Sequence, residues 1–187
     1  MPILGIMASQ ISGHLWAPEG AYDALATVTL SATTASVTFA GIPTGYKHLQ
    51  IRMLSRTTRA ITNDTLEVTF NGDTTASNYA RHVLYGDGSS AAAVGTTSNS
   101  DIGTTAGASC TTGVFGANVI DILDYTNTNK NRTVRYLAGF DNNGSGQVRL
   151  GSTLYLGTSA ISTIKIDAAS GGGSFAQYTQ FALYGIR

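Results

Sequence analysis

The residues that could do chemistry are few. Asp121 and Asp124 stand three apart in a Val/Ile/Leu run, and Asp141-Asn142-Asn143-Gly144-Ser145-Gly146 is a cluster of oxygen ligands on a glycine turn, the kind of loop that suits a hard cation. In the second case the register of a calcium loop fails. The required glycine is displaced, and Ser152 occupies the twelfth position, where a bidentate Glu belongs. On a strand, residues three apart point to opposite faces, so Asp121 and Asp124 are not expected to share a substrate or an ion. The string Gly86-Asp87-Gly88-Ser89-Ser90-Ala91 matches a glycine-rich phosphate fingerprint only in part. The sequence after it breaks before a helix can open toward a pyrophosphate, so it reads as a hairpin turn.

Other reactive groups are as isolated. His14, His48 and His82 have no Ser or Cys partner in a recognisable nucleophile motif. The single cysteine, Cys110, excludes an intramolecular disulfide and has no base or cation among its neighbours. Glycoside hydrolysis needs two carboxylates a few ångströms apart, and spacing gives no pair among Glu67, Asp73, Asp87, Asp121 and Asp124 a special claim. The nine tyrosines offer contact area to sugars or proteins, and most belong to strands. No catalytic residue, cofactor site or metal site is assigned.

The elements around these residues are strands. From Val119 to Tyr155 a Val/Ile/Leu run, TVRYLAGF and QVRLGSTLY are separated by the polar clusters TNTNKN and DNNGSG, which is a three-stranded meander. Upstream, Leu25, Val28 and Leu30 mark a strand, Ser31–Ala35 turns it, and Val37 and Phe39 sit in a short return strand. Leu49, Ile51 and Met53 alternate with His48, Gln50 and Arg52, so one face of that strand is buried and the other is wet. Leu66, Val68 and Phe70 repeat the pattern before Asn71-Gly72-Asp73, and Tyr79, Arg81, Val83 and Tyr85 follow it. From Ser89 to Thr112 the sequence is almost wholly Ser, Thr, Ala and Gly, and a long loop is expected there, with room for a short strand. Ile161, Ile164 and Ile166 mark a strand, Ala168–Ser174 a flexible turn, and QFALYGI at the C-terminus a strand inside a sheet.

About eight to ten short strands without a long amphipathic helix predict an all-β fold, an antiparallel β-sandwich of jelly-roll type, over residues 22–187. Residues 1–21 differ. Leu4, Ile6, Met7, Ile11, Leu15 and Trp16 are apolar, yet Gly5, Gly13, Pro18 and Gly20 interrupt any helix. Such a segment is either a frayed terminus, a first edge strand or an extended arm. Its aliphatic residues and Trp16 favour an arm that docks on a partner, and those six residues are the candidate partner-binding set.

Lys and Arg number 11 and Asp and Glu 11, so the formal net charge is zero and no basic footprint for nucleic acid is visible. Charged residues make up 12% of the chain against a usual ~25%, which leaves Thr, Ser, Asn and Gly to cover the surface. The N-terminus lacks the basic region of a signal peptide, and no apolar run approaches the ~20 residues of a membrane span. The expectation is a protein folded in a cytoplasm without export, with no nucleic-acid and no membrane partner.

A set of strings spread over nearly the whole chain resembles a family of small tailed-bacteriophage virion proteins known from aquatic and marine phages. They are Leu4–Ser9, Ile42-Pro43 with Tyr46–Arg52, Phe70–Asp73 with Asn78-Tyr79, Asp121–Tyr125 with Asn127–Lys130, Gly139–Asp141 with Asn143-Gly144, and Phe181–Ile186. The resemblance implies a non-enzymatic structural protein of the virion, assembled in the host cytoplasm. One role it implies is a capsid cement or decoration protein, trimeric over junctions of the major capsid protein, with the arm stapled to a neighbour. Another is a tail-fibre or receptor-binding component anchored to tail proteins and meeting a host glycan. A carbohydrate-active enzyme or lectin on the same architecture is the alternative of another class.

Overall fold

The structure, a computed structural model, describes residues 21–168 and 172–187. Candidate residues Leu4, Ile6, Met7, Ile11, Leu15 and Trp16 lie outside these residues, as does part of the Ala168–Ser174 turn. Twelve strands are present: β1 (Tyr22–Thr29), β2 (Ser36–Ala40), β3 (His48–Ser55), β4 (Asn63–Phe70), β5 (Tyr79–Gly86), β6 (Ala91–Thr97), β7 (Asp101–Ala106), β8 (Gly116–Ile122), β9 (Arg132–Asp141), β10 (Gly146–Tyr155), β11 (Thr163–Ala168) and β12 (Gln180–Ile186). The only helical element among the described residues is one 3₁₀ turn, Ala76–Asn78.

An eight-stranded sheet, ordered β1-β12-β3-β8-β9-β10-β5-β6, packs against a four-stranded sheet, β2-β11-β4-β7, and neighbouring strands in both run antiparallel. The chain is therefore an antiparallel β-sandwich. Its core is what period-2 alternation demands. Leu49, Ile51 and Met53 of β3, Ile120 and Ile122 of β8 and Phe181 and Leu183 of β12 face Leu66, Val68 and Phe70 of β4 and Ile164 and Ile166 of β11. Full burial of each such side chain contributes ~1.5–3 kcal/mol. At one end Phe70, Tyr79 and Tyr155 stack with centroids 5.0 to 6.4 Å apart.

The Val119–Tyr155 meander is present as β8-β9-β10 at the centre of the large sheet. Its second turn is a plain hairpin, with Asn143 and Gly144 at positive φ and the Gly144 N–H donating to the Asp141 carboxylate. Gly86–Ala91 likewise closes the β5-β6 hairpin. The C-terminal QFALYGI strand pairs on both sides, with β1 and with β3.

Two expectations are corrected. The Ser89–Thr112 stretch is not a long loop, because it holds both β6 and β7. Neither strand carries alternating large apolar residues. β6 is largely exposed, so small side chains suffice, while β7 is buried throughout and is held by polar contacts. The segment around Phe39 does not return beside β1. Thr34 bridges to Phe175 and carries the chain across to the second sheet, where β2 pairs with β11.

The polar contacts that dock β7 centre on Asp101, which is fully buried. Its carboxylate accepts from Arg81 of β5 and, at 3.2 Å, from Arg149 of β10. Its backbone carbonyl accepts from the Thr153 hydroxyl. Further along, Ser55 donates to the Thr105 hydroxyl at 2.9 Å. Elsewhere the buried Arg132 guanidinium is satisfied by carbonyls of Tyr125, Thr158 and Ser159 at 3.1 to 3.2 Å and by that of Lys130. Removing one partner of a buried ion pair leaves uncompensated charge and costs about 3–5 kcal/mol. Asp101→Asn is therefore expected to lower unfolding free energy by about 3 kcal/mol or more, read from urea denaturation followed by circular dichroism. A midpoint equal to that of the unchanged protein contradicts this role.

Candidate interaction surface

Most carboxylates in the described residues hold turns and strands together. Asp121 faces outward on β8, accepts from Gln50 at 2.8 Å and pairs with Arg135 at 3.3 Å. Asp124 lies beyond the end of β8, where a φ of 47° turns the chain, and its carboxylate meets His48 Nδ1 at 3.4 Å and the Lys130 ammonium. His48 and Gln50 share the outer face of β3. The two aspartates thus lie on one side of the sheet, not on opposite sides as expected. Strand alternation does not apply to Asp124, because it is no longer in a strand. Each nevertheless has its own cation.

Asp87 organises the β5-β6 turn. Its Oδ1 accepts from the Ser89 and Ser90 N–H groups at 2.9 and 2.8 Å, and these bonds hold its pKa down at about 2. Asp73 accepts from the Asn78 amide at 2.7 Å, the Thr75 N–H at 2.9 Å and the Tyr155 hydroxyl at 3.2 Å, contacts led by Asn78 that also lower its pKa. Asp73 and Glu67 do line one cleft of about 390 Å³. Within it, Asp73 is a structural carboxylate held ionised by its donors, which is the opposite of the raised pKa a general acid requires. The neighbouring Tyr79 hydroxyl donates to the Asp73 carbonyl at 2.9 Å, and burial pushes its pKa up to about 12.

Cys110 is buried, and its thiol donates to the Thr62 carbonyl at 3.1 Å. His82 lies flat over Gly95 on the outer face, where a Cβ would collide with its ring. Among the described residues no group of three or more His, Cys, Asp or Glu is placed to hold a metal ion, and no helix is long and apolar enough to cross a membrane.

The surface with distinctive character is the outer face of the large sheet. Cross-strand register aligns Arg52, Val119, Leu137, Leu150, Leu84 and Ala93 in one row over β3, β8, β9, β10, β5 and β6. The next row reads Leu54, Ala117, Gly139, Val148, Gly86 and Ala91. Leu137, Leu150, Leu84 and Val148 are 53–59% exposed, although they sit mid-strand. Beside this band the row Gln50, Asp121, Arg135, Ser152, His82 and Gly95 is polar. The alternation rule that places Leu49 and Ile51 inside would place polar residues here, so these leucines break the pattern of a solvated face. The signal was present in the sequence as Val148, Leu150 and Leu154 at alternate positions opposite the buried Thr153 and Tyr155.

The band runs to β6, and the four sheet edges differ there. β1 carries a bulge between Ala24 and Ala26 and the Asp23–Arg187 ion pair at 2.8 Å. β2 has five residues, and β7 is buried. β6, Ala-Ala-Ala-Val-Gly-Thr-Thr, is seven residues long, without charge or proline, largely exposed, and in unbroken register with β5. Natural sheets blunt their edges with bulges, charges or brevity, and β6 has none of these.

No family model matches the chain, and no curated protein is similar to it.

The lowered carboxylates give stability a definite pH dependence. A carboxylate whose folded pKa is depressed contributes fully above its ordinary value and loses that contribution as pH falls through the folded value. For Asp87 that window runs from 3.8 down to about 2. The melting temperature is expected to fall between pH 4 and pH 2, and Asp87→Asn to flatten part of that fall in scanning calorimetry. Identical profiles for the two proteins contradict the assignment.

Proposed function

We propose that this protein is a non-enzymatic structural protein of a tailed-phage particle, a decoration protein that binds the outer capsid surface as an oligomer. The observation that carries the reading is the β6 edge, which no strand among the described residues covers on its outer side. An unprotected strand of seven residues presents unpaired backbone groups that pair with a strand of a neighbouring subunit, as in strand addition, and an assembly protein is one that gains from keeping such an edge. The weak surface charge supports the same reading, because little repulsion opposes close packing of copies. The family resemblance supplies the particle and the capsid partner. The carboxylates support it indirectly, since those with described partners serve turns and sheet packing.

The test is binding to capsids that lack the protein. Purified protein is mixed with such shells and co-sedimentation is measured. Saturable binding at a fixed ratio to the major capsid protein is expected. Ala93→Lys places a charge on β6 at an exposed position of the outer face, where surface substitutions change stability within about 0.5 kcal/mol. It is expected to leave the fold intact and to abolish or strongly weaken binding. Absence of binding by the unchanged protein overturns the capsid role, and undiminished binding by the variant overturns the role of the edge.

A further inference from the structure

The apolar band is a patch of the size that often serves as a contact surface, and its shape limits what fits it. From β3 to β6 it crosses five strand spacings, ~24 Å at ~4.8 Å each, and it is two residue rows wide. A strip ~24 Å by ~14 Å offers ~340 Å², well under the ~800 Å² that each partner buries in a stable complex of two globular proteins. It suits an extended segment of chain better than a second folded copy.

Residues 1–20 supply a length of chain of that size, and the place where they join the fold is on the same face. β1, which follows them, is the edge strand of the large sheet. Its first residue, Tyr22, packs edge-on against Tyr184 with centroids 6.4 Å apart. The Arg52 guanidinium lies over both rings, 5.6 and 5.3 Å from their centroids. Arg52 is itself the first residue of the apolar row, directly opposite Val119. The chain therefore enters the sheet with one strand, β12, between it and the band.

Reach and chemistry agree with this. Trp16 precedes Tyr22 by six residues, ~20 Å of extended chain, and all 20 residues extend to ~66 Å, more than the band requires. The segment's one charged side chain is Glu19, so its apolar residues match an uncharged strip. Because the segment is tethered to the sheet it would cover, docking is intramolecular and is favoured by a high effective concentration over the same contact with another molecule.

We propose that in the free protein residues 1–20 lie across the outer face of their own eight-stranded sheet, with Ile11, Leu15 and Trp16 covering the Val119–Leu137–Leu150–Leu84 row. The sequence alone set this segment against a neighbouring subunit; the face beside its point of entry is nearer. This goes beyond the assembly role and stands on the soluble protein alone, so failure of capsid binding leaves it intact, and its own failure leaves the β6 edge intact.

Trp16 is the chain's single tryptophan and reports directly on the contact. In the full chain its fluorescence is expected to be blue-shifted and poorly quenched by acrylamide, unchanged on dilution across concentrations at which sedimentation shows monomer. Leu137→Asp with Leu150→Asp is expected to shift the emission to the red and raise the quenching constant several-fold, with the far-ultraviolet circular dichroism of the sheet retained. Thr38→Asp, on the exposed face of the other sheet, is expected to leave both readings unchanged. If the double variant loses its sheet signal, Leu150→Thr takes its place with the same expected direction. Solvent-exposed Trp16 in the unchanged protein overturns the proposal, as does shielding insensitive to the band substitutions. Shielding that is lost on dilution assigns the contact to a second copy and also overturns it.

Discussion

The buried carboxylate of Asp101, held between Arg81 and Arg149, is the contact through which the smaller sheet is anchored at its β7 side. β7 contributes one large apolar side chain, Ile102, to the interior, and its other buried positions are Asp, Gly, Thr, Thr and Ala. Hydrophobic burial alone gives that strand little reason to sit where it does. Two guanidinium groups on the large sheet offset the desolvation of one carboxylate on the small one, and the Thr153 and Ser55 hydroxyls extend the tie along the seam. Removing either side of the tie leaves charge inside a sandwich, so the contact fixes where β7 docks as much as it adds stability.

This arrangement also explains why the molecule's surface looks as it does. With only 12% charged residues, ion pairs spent on the interior seam and on turns leave few charges for the outer sheet face. Leucine and valine take positions there that alternation would give to polar groups, and β6 carries no gatekeeper at all. A free monomer gains nothing from the β6 edge, whereas a subunit of an assembly does, because such an edge becomes a contact with a neighbour.

Much of the fold was legible in the sequence, and the parts that were not have physical reasons. The β8-β9-β10 meander could be read because large apolar residues alternate along it and Asn/Gly turns punctuate it. β6 and β7 could not, because one is too exposed to need apolar residues and the other is buried through hydroxyls and a carboxylate, so neither shows period-2 hydrophobicity. The relation of Asp121 to Asp124 was misjudged because the strand ends at Ile122 and Asp124 itself sits in a turn at positive φ. The candidate surface was less legible still. Opposing rows become a band only once the register of six strands is known, and an edge is visible only once the sheet order is.

The central claim is that this sandwich works by presenting the β6 edge to a neighbour. Hydrogen–deuterium exchange of the Ala91–Thr97 amides, compared between free protein and protein bound to capsids, tests it most directly. The account predicts fast exchange, in the free protein, of the β6 amides that point away from β5, and strong protection of those amides on binding. Protection that appears on the four-stranded sheet while β6 exchanges as before would contradict it.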